Sequence, residues 1–316
     1  MILGLSGSDA IEAALKTAAL ATGRPGVVGF EGGYHGLGHG PLALCGYSEG
    51  FRRPFAAQLN PYARIAPWPA ETSSLEDALA PVRRLFEGHP SERPGAILVE
   101  PIQGRGGVRC PPPGFLAGLR ALCEQHGALL VADEILTGLG RCGELLYSLR
   151  EVEPHLICIG KALGGGLPVS ACLGDATIMQ AWGAPEGEAL HTGTFFGHPL
   201  GAAAALAVLD VLSDENLVAR GRATGARLAE LLRDRLVELR LFAVPHAGYP
   251  RVMQEVFVSG IAKTPRKNAA PGLSLWLNKS GATKTVRYVK ASGSDAADGL
   301  TLGTAKATLG AAALAI

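Results

Sequence analysis

Apolar positions along the chain fall into short continuous runs separated by amphipathic stretches, and this alternation predicts an α/β fold with a largely parallel sheet. Runs of β character occur at Val27–Phe30, Ala96–Glu100, Leu129–Ala132, Leu156–Ile159 and Val169–Leu173. Helical periodicity occupies residues 9–22, 74–87 and 114–126, with two more helices near 199–213 and 217–240, the last strongly amphipathic. Asp9 reads as an N-cap or first-turn acid of the first helix, and Gly23 as its stop. Ligands of such sheets sit beyond the carboxyl ends of the strands. Glu100, Asp133 and Lys161 each fall at or just past such an end.

Composition narrows the classes open to the chain. Its 316 residues are 47% hydrophobic, enough for a sizeable core. Lys plus Arg number 29 against 28 for Asp plus Glu, which gives no general argument for nucleic acid or acidic partners. The six cysteines form no CxxC pair and no zinc spacing, so they read as reduced thiols of a cytoplasmic protein with no metal. No signal peptide or membrane span is expected; Asp210 interrupts the best apolar run. After about residue 242 the pattern weakens. Between Arg251 and Lys290 eight basic residues face one acid, Glu255, which places a domain boundary there, with 1–242 as the main domain and 243–316 as a linker-like tail.

Five segments carry candidate chemistry. LSGSDA (5–10) runs straight into a helix and offers hydroxyls and open N–H groups where the dipole favours an anion; an ordinary helix cap is the alternative. In LLVADEI an apolar strand ends in Asp133, which needs a partner such as a protonated heterocycle, backbone N–H groups or a metal. In ICIGKALGGGLPVSA (157–171) Lys161 directly follows an apolar strand and precedes three glycines. Partial burial there would lower its pKa and free the amine to attack an aldehyde. HTGTFFGHP (191–199) adds hydroxyls before a Pro-started helix, and YHG (34–36) an aromatic face.

The order SGSDAIEAALK, GYHG, VEPIQG, ADEILTGLGR, IGKALGGGLPVSA and HTGTFFGHPLGAAAA resembles the class III aminotransferases over roughly residues 2–235. These are fold-type I enzymes dependent on pyridoxal 5′-phosphate (PLP). The resemblance implies that Lys161 is the Schiff-base lysine and proton carrier, and that Asp133 pairs with the pyridinium nitrogen. It implies that Tyr34 stacks on one face of the ring and Ile135 packs on the other, with Gly7 and Ser8 at the phosphate. Thr194 would reach the phosphate of a neighbouring subunit in a homodimer, and Glu100 would stand near the substrate. The expected reaction moves an amino group from an amine or ω-amino acid to a 2-oxo acid.

Departures qualify that expectation. Family members carry a longer segment before the SGS motif and a small C-terminal domain, so the chain is expected to be truncated at both ends. Leu136 stands where many relatives have glutamine. Residues 286–316 resemble the opening of a right-handed parallel β-helix. A PLP-binding remnant with impaired catalysis and a PLP-dependent aminomutase are the competing readings.

Overall fold

The computed structural model describes residues 1–87, 93–183, 189–237, 241–244 and 255–258. Its strands are β1 (Ile2–Gly4), β2 (Val27–Phe30), β3 (Ala63–Ala66), β4 (Ala96–Val99), β5 (Leu129–Asp133), β6 (Leu156–Ile159), β7 (Ser170–Gly174), β8 (Leu241–Val244) and β9 (Glu255–Val258). The helices are α1 (Gly7–Thr22), α2 (His39–Ala43), α3 (Glu49–Arg52), α4 (Leu75–Arg84), α5 (Phe115–His126), α6 (Ala176–Met179), α7 (Pro199–Asp214) and α8 (Leu217–Val237). The chain divides into two units, Met1–Arg222 and Ala223–Ile316. In the second, β8 and β9 pair antiparallel. The tail 286–316 and nearly all of the basic stretch 251–290 lie outside the described residues.

The first unit holds a seven-stranded sheet in the order β1-β7-β6-β5-β4-β2-β3. The pairs from β3 through β6 are parallel, whereas β7 runs antiparallel to both its neighbours. Every run predicted as a strand forms within one residue of its expected ends. β1 and β3 were not foreseen, because three residues, or the four of ARIA, are too short to show a period.

Helices cover both faces, which explains why the central strands read as continuous apolar runs. Val28, Phe30, Ile97, Val99 and Leu130 point toward Leu79 and Val82 of α4 and Phe115 and Leu119 of α5. Phe30, Trp68 and Phe115 meet edge to face with centroids 5.6 to 5.9 Å apart. The opposite residues, among them Leu98, Val131 and Cys158, pack on Ala10, Ile11, Ala14 and Ala18 of α1. Alternation along β4 and β5 therefore sends Glu100 and Asp133 to the α1 side.

The N-cap of α1 is Ser6 rather than Asp9, and Asp9 three residues on closes a capping box. Gly23, at φ 67°, ends the helix in the left-handed region as expected. In α7, Ala205 and Leu212 pack on a third apolar cluster with Ile159, Leu163, Val169 and Ala171. Among the described residues no helix is long and apolar enough to cross a membrane, and all six cysteines are free.

Candidate active site

Four loops meet at the carboxyl ends of β2, β4, β5 and β6. Asp133 ends β5 and is 5% exposed. Its Oδ1 accepts the Ile135 N–H at 3.1 Å, and its Oδ2 lies 2.7 Å from Nδ1 of buried His35. Glu100, 6% exposed, accepts the Tyr34 N–H at 3.0 Å on Oε2 and the Gly104 N–H at 3.2 Å on Oε1. Gln103 completes the cluster, its amide donating to the Glu31 carbonyl at 2.8 Å.

Burial sets the electrostatics here. It pushes the Glu100 carboxyl up to about 7, while the charge of His35 and the two N–H donors pull the other way. For His35 burial is also the largest influence and favours the neutral ring. The hydrogen bond and charge of Asp133, with the charge of Glu100, outweigh it and hold the imidazole above its ordinary value.

Glycines bring the remaining motifs into contact. A methyl group at Gly7 would stand 2.8 Å from Ile135 Cδ1, and one at Gly160 would stand 3.6 Å from Ile135 Cγ2 and 3.5 Å from Ser170 Cβ. The Ser170 hydroxyl donates to the Ser6 carbonyl at 2.6 Å. Ser8 Oγ accepts the Gly38 N–H at 3.1 Å, and Gly36, at φ 114°, leaves only 2.8 Å between its absent Cβ and that of Ser8. The turn that opens α1 thus touches both the YHG loop and the turn after β5.

Lys161 stands two residues beyond β6, whose Cys158 is paired with Asp133 in parallel register. Amine and acid therefore belong to the same edge of the sheet. The residue has φ 43°, a conformation L side chains seldom adopt and one that clusters at functional sites. The partial burial expected for it is not found: Lys161 is exposed on the single chain. Its short turn, Lys161–Gly164, places Leu163 in the cluster under α7 instead. Thr194 is likewise exposed, and no contact brings it to Gly7 or Ser8 within the described residues. Its loop is tied back at His198, which caps α7 and reaches the Pro168 carbonyl, and at His191, 3.3 Å from Lys16 Nζ.

Two participants escaped the sequence reading. His35 lies inside the YHG motif, beside a tyrosine whose aromatic face is the stronger sequence signal. Glu134, 1% exposed, accepts from the Thr137 hydroxyl and the Ser148 N–H, both at 2.5 Å, and so pins the turn carrying Asp133 and Ile135. Its signal was the adjacent pair of acids, since two carboxylates at one buried strand end need separate partners.

This arrangement defines a class. Residues 1–254 match the family model for class-III aminotransferases, and the chain belongs to that family. It is 41% identical over 242 residues to the 5-aminovalerate aminotransferase DavT of Pseudomonas aeruginosa, covering 74% of this chain and 54% of that protein. With the 4-aminobutyrate aminotransferase GabT of Escherichia coli it shares 38% over 237 residues, 72% of this chain and 54% of the other. An amine transaminase from an uncultivated Pseudomonas species, solved in its PLP-bound form, superposes with a TM-score of 0.68 at 29% identity, over 80% of this chain and 64% of that one. The chain spans about half the length of the curated relatives it matches.

PLP is the cofactor of the family, and the residues present fit it. Asp9 and Ala10 donate to the Ser6 carbonyl, while the N–H groups of Gly7 and Ser8 have no acceptor among the described residues. They open a helix of 16 residues, a donor set suited to a phosphate. A carboxylate, an amine and an aromatic ring stand on the same sheet edge.

Proposed function

We propose that the chain is the cofactor-binding part of a PLP-dependent aminotransferase that moves an amino group from an amine or ω-amino acid donor to a 2-oxo acid. The observation that carries this reading is the contact of Ile135 with both Gly7 and Gly160, which gathers the phosphate turn, the acid and the lysine turn around one side chain. When bound, PLP supplies an aldehyde that condenses with amines and a protonated ring that withdraws electrons from the substrate carbon.

The chain's own residues do the rest. Gly7 and Ser8 hold the phosphate at the helix terminus. Asp133, kept in place by His35 and the Ile135 N–H, would be the carboxylate that keeps the cofactor's ring nitrogen protonated. Ile135 and Tyr34 would hold the two faces of the ring. Lys161 would supply the amine for the cofactor's aldehyde, and its Nζ would be the group that accepts a proton from the substrate carbon. Glu100 acts on the substrate side by fixing the backbone of Tyr34 and Gly104.

A homodimer is part of the same reading. In α7, Leu200, Leu206 and Leu209 are 73%, 63% and 41% exposed, and Phe195 before it is 65% exposed. Exposed leucines grouped on one helix want cover, and a second copy would bring its Thr194 to the phosphate. The free thiols support a cytoplasmic setting.

Adding PLP to the purified protein is the test. An absorbance band near the visible edge and an adduct trapped by borohydride are expected, both abolished in Lys161→Ala. A colourless wild type without a trapped adduct overturns the reading, and half-transamination with an amino donor eliminates the inert remnant.

A further inference from the structure

Next to Asp133 stands a second buried acid that the proposed roles leave unused. Alternation along the chain sends Glu134 to the face of the sheet opposite Asp133. It is 1% exposed, and hydrogen bonds hold its carboxylate: the Thr137 hydroxyl donates to Oε2 and the Ser148 N–H to Oε1, both at 2.5 Å. A buried carboxylate takes such fixed donors in place of water.

Residues 134–138 form a turn that Glu134 closes twice. The Gly138 N–H donates to its carbonyl at 2.9 Å, and a Cβ at position 138 would stand 2.8 Å from that oxygen. The Thr137 hydroxyl reaches its carboxylate from inside the same turn. At the other end, the Glu134 N–H donates to the Cys158 carbonyl at 2.9 Å, so the ladder between β5 and β6 runs one residue past Asp133. The Ser148 contact ties the turn to the short 3-10 turn Tyr147–Arg150. That segment is anchored in its own right. Glu151, which follows it, accepts the N–H groups of Gly114 and Leu116 at 3.2 Å each, at the start of α5.

Asp133 depends on this turn for one of its two fixed oxygens. Oδ2 is held by His35, but Oδ1 is held by the N–H of Ile135, which lies inside the turn. A carboxylate tied at one oxygen still swings about its last bond, because that torsion is soft. Tied at both, it presents a single edge. Glu134 thus acts on its neighbour through the backbone.

We propose that Glu134 is a positioning residue for Asp133: by closing the turn after β5 it fixes the Ile135 N–H against the Asp133 carboxylate, and with it the direction in which that carboxylate meets the cofactor. This rests on the aminotransferase reading above.

Amide hydrogen exchange on the full chain before PLP is added reads the turn itself. In Glu134→Ala the Ile135 and Gly138 amides are expected to exchange about tenfold or more faster than in wild type, while Leu130 and Val131 within β5 keep their rates. The PLP-loaded protein is then carried through half-transamination with 5-aminopentanoate. Glu134→Ala should lower the maximal rate per bound cofactor about tenfold, with the half-saturating concentration within about twofold. The visible circular dichroism that a fixed cofactor ring produces should weaken with it. Glu134→Gln, whose amide group can serve both Thr137 and Ser148, should recover most of both signals. A purely structural residue would instead lower the fraction of protein that loads and leave rate and dichroism per bound cofactor unchanged. That result overturns the proposal, as do unchanged exchange at Ile135 and a Gln variant no better than Ala. If Glu134→Ala does not fold, Thr137→Val takes its place, with faster Ile135 exchange than wild type expected and equal rates overturning the proposal. Should the wild type bind no PLP, the aminotransferase reading fails, and the exchange rates alone decide whether Glu134 holds the Asp133 contact.

Discussion

Along the ends of β2, β4 and β5, His35, Glu100, Gln103 and Asp133 are buried, and each is bonded to groups of this same chain. Beyond β6 and before α7, Lys161 and Thr194 are exposed, beside a helix that turns Leu200, Leu206 and Leu209 outward. A polar group taken out of water must find its partners within the fold, so the acid side is part of folding itself. The lysine side carries no such obligation. It is shaped by local backbone and lies open to solvent on the single chain.

Removing one partner from each side gives the largest separation. Asp133→Ala leaves His35 buried and unpaired and should cost about 3–5 kcal/mol in a urea titration. Lys161→Ala, at an exposed position, should stay within about 0.5 kcal/mol while losing the trapped adduct. Equal losses would erase the contrast.

Next in size is a pH effect confined to the acid side. Glu100 moves from 4.5 to about 7 on folding, so the folded state keeps a proton that the unfolded chain releases. That stabilisation is complete below about pH 4.5 and lost as pH rises through about 7, roughly 3 kcal/mol at ~1.4 kcal/mol per unit. His35, raised above 6.5, adds a loss of the same sign at higher pH. Glu100→Gln should flatten the lower part of the profile; a slope unchanged in the variant would assign it to other groups.

The smallest stability change is expected on the lysine side. Leu206→Arg, in the exposed row of α7, should halve the mass in sedimentation while unfolding free energy shifts by no more than about 0.5 kcal/mol. A wild type that sediments as a monomer would break the comparison there.

Much of the fold was legible because the strands that build it are covered on both faces and therefore read as apolar runs with sharp ends. Gly23 was readable as a stop because its left-handed backbone suits glycine. Of the two roles open to Asp9, N-cap or first-turn acid, the structure gives it the second, with Ser6 as the cap; the two bond each other reciprocally, and sequence shows only that both polar groups are there. Among the candidate site residues, Asp133 and Lys161 stand out in the sequence by their place after strands. His35 was not, since its partner is 98 residues away and local patterns carry no trace of such pairings. Lys161 was expected to be partly buried because it follows an apolar strand. That inference assumed the strand direction continues, whereas a backbone at φ 43° turns the chain out of the sheet.

Ile135 also ties two adjustments together. Because it rests against the absent side chains of both Gly7 and Gly160, its bulk spaces the turn that opens α1 from the turn that carries Lys161. A smaller residue would loosen grip and aim together, and a larger one would wedge both apart. Selection for new substrates must therefore work around this position, through the rim, or alter two tolerances in a single step.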